Sequence, residues 1–148
     1  MAHRIAFLHE GRIEQCGALR EFYESPATLE AACFFGWQIL VGTLKAGMLQ
    51  TALGCLAMPD APGAQGPVWA AFRPEAVRLS GSGALNATVE TSIDLGDRVR
   101  TSVSFPSGET IEAQHTAPEL EPGRLVAVSA ASESVRLFAR AQSGRQCE

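Results

Sequence analysis

The sequence contains little lysine and few aromatic residues, and it has no long apolar run. Of its 148 residues, one is lysine, at position 45, and ten are aromatic: seven Phe, two Trp and one Tyr. No run of about 18 uninterrupted apolar residues exists, so no membrane-spanning helix is predicted. The chain also reaches Glu10 and Gly11 before any long apolar run, which argues against an ordinary secretory signal.

The spacings that mark a metal site or a disulfide framework are missing too. The four cysteines share no C-x-x-C spacing: Cys16, Cys33, Cys55 and Cys147. The three histidines are scattered and cannot complete a zinc ligand set. We therefore expect reduced thiols and no metal-binding residue.

Basic residues are fewer than acidic residues in this sequence. The chain has 16 acidic and 12 basic residues, a formal net charge of −4 at pH 7. Nucleic-acid binding requires a basic face and exposed aromatic side chains, whereas Phe72 and Phe105 fall on inward phases of their predicted strands. A nucleic-acid-binding barrel is thus the least favoured alternative, and no nucleic-acid partner is expected.

Catalytic motifs are also missing. Gly42–Gly47 has the G-x-x-x-x-G outline of a phosphate-binding loop, but Met48 and Leu49 follow where Lys and Ser or Thr must stand. This segment is therefore predicted to be a hairpin turn. The sequence contains no G-x-S-x-G, H-E-x-x-H or Cys–His pattern, so no catalytic or cofactor-binding residue is predicted.

The first 36 residues predict a hairpin followed by two short helices. A turn at Glu10-Gly11 separates two short strands. The first helix is predicted over 19–24. The second is predicted from Ser25-Pro26, as N-cap and first residue, to Phe35, with Gly36 as its C-cap.

After Gly36-Trp37 the apolar pattern has period two, which indicates strands. Strands are predicted at 39–44, 48–58, 68–72, 76–79, 85–94, 99–105, 110–114, 125–129 and 135–139. Strict alternation predicts five inward positions on the strand at 85–94: Leu85, Ala87, Val89, Thr91 and Ile93. Many short strands separated by turn signals favour a mainly β fold, as a small barrel or sandwich.

The N-terminal residues resemble the end of an ABC-transporter ATPase domain. Ala2–Gly17 is similar to that family's A-[D]-R-I-A-V and G-R-I-x-Q-x-G patterns. Glu21–Thr28 resembles its E-[IL]-Y-x-x-P-A stretch, and Phe34–Gly36 resembles its F-[IL]-G exit. One departure is Ala18-Leu19, where the family usually has Thr-Pro.

The remaining residues resemble TOBE, an accessory domain that follows the ATPase domain in many importers. Ala71–Leu79 is similar to the TOBE pattern R-P-E-x-[LV]-x-[LI], and Pro122–Val126 is similar to P-G-x-x-V. Leu95-Gly96 matches the Leu-Gly of its central hairpin. The resemblance implies an OB-like barrel over 37–148, and it implies that 1–36 is the C-terminal remnant of an ATPase domain.

The function that the resemblance implies depends on which part of the ATP-binding subunit it covers. The Walker A and B motifs, the signature motif and the switch histidine would lie upstream of Met1. We therefore expect the C-terminal part of an importer's ATP-binding subunit, cytoplasmic and peripheral to the inner membrane, with a regulatory or dimerising role. ATP, magnesium and contacts with the permease subunits would belong to the parent subunit. The solute would be of the polyamine, ferric-iron, sulfate or phosphonate kind. A stand-alone oxyanion-binding module is the alternative.

Two features are candidate interface or regulatory residues. Arg73-Pro74-Glu75 interrupts a strand, and its charges either brace the crossover between sheets or face a partner. Phe22 and Phe35 lie on an apolar face of 1–36 that has no visible partner in the sequence. A symmetric homodimer is the simplest way to cover that face.

Overall fold

A computed structural model describes residues 3–61 and 63–140. The N-terminal segment, residues 3–36, holds four elements: β1 (Ile5–His9), β2 (Arg12–Gly17), α1 (Leu19–Glu24) and α2 (Leu29–Phe34). The β region, residues 38–139, holds ten strands: β3 (Gln38–Lys45), β4 (Met48–Thr51), β5 (Gly54–Ala57), β6 (Gly66–Phe72), β7 (Val77–Ser80), β8 (Ala87–Asp94), β9 (Val99–Ser104), β10 (Thr110–His115), β11 (Leu125–Ala130) and β12 (Arg136–Ala139). The prediction of a mainly β chain that begins with a hairpin and two helices is confirmed.

The N-terminal hairpin turns where the sequence predicts. Glu10 and Gly11 have φ angles of 47° and 77°, the left-handed conformation that a tight hairpin turn requires. The start of α2 was predicted wrongly. Its N-cap is Thr28, whose Oγ1 accepts a hydrogen bond from the Ala31 N–H at 3.2 Å, while Ser25 ends α1.

A glycine ends α2 as predicted. Gly36 has φ +82°. Its N–H donates to the Cys33 carbonyl at 3.1 Å, and the Trp37 N–H donates to the Ala32 carbonyl at 2.9 Å. This pair of bonds is the Schellman motif. It turns the chain directly from α2 into β3, so Trp37 lies between the N-terminal segment and the β region.

The β region is built from two antiparallel five-stranded sheets. Their strand orders are β10-β9-β8-β11-β7 and β12-β6-β3-β4-β5. One core contains buried side chains of both sheets, including Leu40, Leu49 and Phe72 from one and Val103 and Ile111 from the other.

The side chain of Gln38 also joins the two sheets. It donates to the Glu112 carbonyl at 2.6 Å and accepts from the Glu112 N–H at 2.5 Å. Because the amide satisfies both backbone groups of one residue, it takes the place of a strand partner at that point.

Two strand predictions were wrong. Residues 48–58 are not one strand but the hairpin β4–β5. The five inward positions were expected from strict alternation, but only Ala87 and Val89 are buried, while Leu85 and Ile93 are 47% and 53% exposed. The pairing of β8 with β9 shifts register between Val89 and Thr91. This bulge moves Thr91 and Ile93 to the opposite face, whereas Leu85 lies before the first residue of β8, Ala87.

The predictions about the cysteines and the Gly42–Gly47 segment have mixed outcomes. Cys16 and Cys55 are free, whereas the expectation of a reduced thiol is wrong for Cys33, which is disulfide-bonded. Cys147 lies outside the described residues. Gly42–Leu49 forms part of the β3–β4 hairpin, as predicted. Within the described ranges, no helix has the length and apolarity to span a membrane, and no group of three potential ligands is placed to hold a metal ion.

Candidate site at the junction of the N-terminal segment and the β region

Phe35 is the centre of an aromatic cluster in the N-terminal segment. Its ring centroid lies 4.9 Å from Phe22, 5.8 Å from Tyr23, 5.2 Å from Phe34 and 6.3 Å from Phe7. Such tilted and edge-on pairs contribute beyond their buried area. The cluster therefore provides the N-terminal segment with a small apolar core of its own.

This cluster corrects the expectation that Phe22 lies on an unpartnered face. Phe22 is fully buried, with 0% of its surface exposed, whereas Phe34 is 72% exposed. The sequence placed Leu19, Phe22 and Tyr23 on one helical face but could not show which of them meets Phe35. Phe34 and Tyr23, which is 41% exposed, are the exposed aromatic side chains among the described residues of this segment.

A second apolar contact joins α2 to the β region. Ala32 of α2, Trp37 and Ala71 of β6 form one buried cluster, against which Phe35 and Phe138 pack. Trp37 is 7% exposed, and its Nε1 has no hydrogen-bond partner among the described residues. The two parts of the chain are therefore held together by packing as well as by the peptide link at Gly36.

Arg73-Pro74-Glu75 forms the corner between β6 and β7. Pro74 starts a 3₁₀ turn, Pro74–Ala76, and the Ala76 N–H donates to the Arg73 carbonyl at 3.0 Å. Pro74 is buried, and Arg73 Nε donates to Glu75 Oε1 at 2.5 Å. A proline suits this position because it cannot donate to a sheet and its φ angle fits the first position of a turn.

The guanidinium of Arg73 reaches across the junction. Its central carbon lies 4.8 Å from the Tyr23 ring centroid and 6.0 Å from that of Trp37. Nη1 of Arg73 also donates to the Tyr23 carbonyl at 3.5 Å. The positive charge therefore lies over two aromatic faces, an arrangement that the ring quadrupoles favour.

A second arginine meets the same helix end. Nη2 of Arg136, at the start of β12, donates to the Glu24 carbonyl at 3.4 Å. Carbonyls in the last turn of a helix lack partners within the helix and carry a partial negative charge. We call the contacts of Arg73 and Arg136 with the end of α1 the arginine clamp.

A cleft of about 390 Å³ lies beside the arginine clamp. Its lining combines two aromatic residues, two arginines and three glutamates with two small residues: Tyr23, Trp37, Arg73, Arg136, Glu24, Glu75, Glu133, Ala76 and Ser134. This mixed lining provides both donors and acceptors, but no nucleophile–base pair. Its lining comes from both the N-terminal segment and the β region.

The structure brings four of the five predicted residues into one connected path. The path runs from Phe22 to Phe35, Tyr23, Arg73 and Glu75, with ring or ion-pair contacts at every step. Pro74 sets the corner on which the last two stand. Sequence reasoning did not identify Trp37 and Arg136 as part of this site. Trp37 stands at the change of periodicity, which was the one available signal.

Comparison with known proteins relates the chain to transporter components. Residues 70–138 match the family model described as TOBE domain. The spermidine/putrescine import ATP-binding protein PotA of Rubrobacter xylanophilus is 32% identical over 146 residues, covering 87% of this chain and 39% of that protein. The sn-glycerol-3-phosphate import ATP-binding protein UgpC of a Jannaschia species is 34% identical over 136 residues, covering 83% and 39%. The chain thus spans about two fifths of the length of these relatives.

A solved structure has a similar fold. It is the cytoplasmic molybdate-binding protein ModG, which is 16% identical and superposes with a TM-score of 0.53 over 70% of this chain and 96% of its own. This likeness supports the OB-like fold class predicted from the sequence.

Proposed function

We propose a function from the premise that residues 70–138 are a TOBE domain and that the chain is related to ATP-binding subunits of ABC transporters. The chain is the regulatory region of such a subunit in an importer of a small solute. The observation that carries this proposal is the arginine clamp, because Arg73 and Arg136 belong to the matched domain and hold the end of α1 outside it.

The arginine clamp connects the β region to the N-terminal segment, and this connection is the physical basis of the regulatory role. A displacement of the β region moves Arg73 and Arg136, and these residues contact the carbonyls of Tyr23 and Glu24. The Trp37 cluster resists sliding, since its side chains are buried on both sides of the junction. Movement in either part is therefore transmitted to the other.

Partners and location follow from the same proposal. The chain by itself neither binds nor hydrolyses ATP; ATP and magnesium are bound by the remainder of the parent subunit. That subunit contacts membrane-spanning permease subunits on the cytoplasmic side of the inner membrane. Nucleic acid is not a partner.

We also propose that the chain forms a homodimer through its N-terminal segment. Leu8, Ile13, Leu19 and Phe34 are 62%, 63%, 53% and 72% exposed. Leu8 and Ile13 are paired in register on the hairpin, and exposed apolar side chains that lie together favour association. A second copy covers them with the same residues.

The transported solute is a small polar compound. The names of the relatives refer to spermidine, putrescine and sn-glycerol 3-phosphate, so a polyamine is the first candidate and a phosphorylated polyol the second. Sulfate, ferric iron and phosphonate remain predictions from the resemblance alone.

A chimeric transporter tests the proposal. This chain replaces the matching region of the Rubrobacter spermidine/putrescine ATP-binding protein, and ATP hydrolysis is measured with its permease partners. We expect an active chimera whose stimulation by solute changes when Arg73 is replaced by Ala. A folded chimera that fails to assemble with the permease, or whose regulation is the same with Arg73→Ala, contradicts the proposal.

Oxyanion binding is a second candidate function. It is favoured by a cleft between β7 and β10 in which Arg78 and Arg124 have no ion-pair partner among the described residues. Titration of the chain with molybdate, sulfate or phosphate, followed by thermal shift, tests this candidate.

A further inference from the structure

The cleft between β7 and β10 has a volume of about 700 Å³. These two strands are the two edge strands of the same five-stranded sheet. The cleft therefore lies between the two edges of that sheet. Its walls come from Val77–Gly81 and from Gln114–Ala117. Val77 and Val126 in its lining are 3% and 1% exposed, which makes the deep part of the cleft apolar.

The rim of this cleft is positively charged although the whole chain is acidic. Arg78 and Arg124 are exposed, and within the described ranges neither forms an ion pair or a side-chain hydrogen bond. Glu75 also lines the cleft, but its carboxylate is paired with Arg73 at 2.5 Å. Two guanidinium groups therefore remain available to an anion.

Hydroxyl groups stand beside these guanidiniums. Arg78 of β7 is paired in register with Ser129 of β11, so their side chains lie on the same face of the sheet. Ser80 follows two residues after Arg78 on that face. A Cβ at position 81 would lie 3.0 Å from Nη2 of Arg124, so Gly81 leaves room for that guanidinium.

His115 adds an unsatisfied polar atom to the cleft wall. Its Nε2 lies 2.9 Å from Thr101 Oγ1, which in turn lies 2.8 Å from Ser92 Oγ. These bonds fix the orientation of the ring. Its Nδ1 is buried and has no partner among the described residues. Buried polar atoms without partners are rare.

We propose that this cleft binds a small organic anion that carries a phosphate group. The phosphate lies between Arg78 and Arg124, where forked guanidinium donors match its oxygens. The organic part covers the partly buried side chains of Leu79 and Leu120, which also line the cleft. A bare oxyanion would leave most of the cleft empty, whereas clefts of this volume are typical of organic ligands. This inference rests on the second candidate function and does not depend on the transporter role.

Calorimetric titration of the full chain with phenyl phosphate at low salt tests the inference. We expect binding that weakens about tenfold with Arg78→Gln or with Arg124→Gln, because each variant removes a charge-assisted hydrogen bond. Arg12→Gln is the matched control. Arg12 is an exposed residue of β2 and lies outside the cleft, so this variant leaves the affinity unchanged. Ring resonances of His115 are expected to shift on binding.

Three results overturn the inference. If inorganic phosphate or molybdate binds and phenyl phosphate does not, the ligand class is wrong and oxyanion binding stands. If none of these anions binds at millimolar concentration, both fail. If the folded variants of Arg78 and Arg124, Arg78→Lys included, all bind phenyl phosphate as tightly as the wild type does, the binding site lies elsewhere. The chimera experiment is unaffected by any of these outcomes, so the transporter proposal is judged separately.

Discussion

The guanidinium carbon of Arg73 lies 4.8 Å from the ring centroid of Tyr23, across a separation of 50 residues in the sequence. Arg73 stands at the corner that the TOBE pattern predicts, and Tyr23 stands in the stretch that resembles the end of an ATPase domain. One contact therefore joins the two family resemblances in space.

Replacing Arg73 by Ala is expected to lower the free energy of unfolding by about 1–2 kcal/mol. The change removes a cation–π contact and leaves Glu75 without its ion-pair partner. Arg73→Lys restores only part of the loss, since an ammonium group cannot stack as a planar guanidinium does. Urea unfolding measures both variants.

Arg12→Ala is the control for this series and leaves stability unchanged, because Arg12 is exposed and lies outside the junction. An Arg73→Ala protein as stable as the wild type would show that Arg73 contributes nothing to holding the junction. In that case the Arg136 contact, the Trp37 cluster and the peptide link at Gly36 would connect the two parts.

The pH dependence of stability is expected to depend partly on Glu14. Thr28 Oγ1 donates to Glu14 Oε2 at 2.6 Å, and the His9 ring nitrogen Nδ1 lies 2.9 Å from Oε1. The hydrogen bond from Thr28, more than the neighbouring His9, lowers the pKa of Glu14 below its ordinary value. A lowered pKa stabilises the folded state at pH values above the unfolded-state pKa, and this stabilisation is lost as pH falls through the folded-state pKa.

Glu14→Gln therefore lowers the melting temperature at neutral pH, and the difference from wild type shrinks as pH falls below about 4.5, near the ordinary pKa of glutamate. Thermal unfolding between pH 7 and pH 3 measures this effect. Glu121→Gln, in an exposed loop, is the control. A constant difference at every pH would mean that the Glu14 charge does not stabilise the start of α2.

Local patterns predicted some elements well and left long-range ones undetermined. Glu10-Gly11 fixes a turn through its own backbone preferences, and Gly36 ends α2 for the same reason. The bulge at Val89 in β8 depends on how β9 aligns, and that alignment is not visible in the alternation of residues 85–94. Burial of Phe22 likewise depends on Phe35, which lies in another helical segment. The resemblance located the Arg73 corner, but only the folded chain places Tyr23 and Trp37 beneath it.

Self-association is expected to depend on Phe34. Light scattering after size exclusion at about 10 µM should report twice the monomer mass for the wild type, if the dimer has a dissociation constant well below that concentration. Phe34→Ser should give the monomer mass of 15.7 kDa. The substitution removes the ring contacts of Phe34 with Phe7 and Phe35 but buries no polar group, because Phe34 is 72% exposed.

Leu125→Ser is the matched control for dimerisation, since Leu125 is 56% exposed on the β region; this variant is expected to remain a dimer. Phe22→Ser is unsuitable because Phe22 is fully buried, and the change would unfold the aromatic cluster. A wild-type chain that remains monomeric at 100 µM would show that the exposed residues of the N-terminal segment do not pair with a second copy.

Removal of residues 1–36 tests whether 37–148 folds as an independent domain. We expect the shortened chain to keep β-type circular dichroism, because the shared core of the two sheets contains no residue from the N-terminal segment. Its stability should fall, since the deletion uncovers Trp37, Ala71 and Phe138. Burial of a large apolar side chain contributes about 1.5–3 kcal/mol, so a loss of several kcal/mol is expected in urea unfolding. Replacing the uncovered Phe138 by Thr in the shortened chain should then cost less than the same change in the full chain. Complete loss of β structure on deletion would mean that the two parts form one cooperative unit, and that the boundary at residue 36 is wrong.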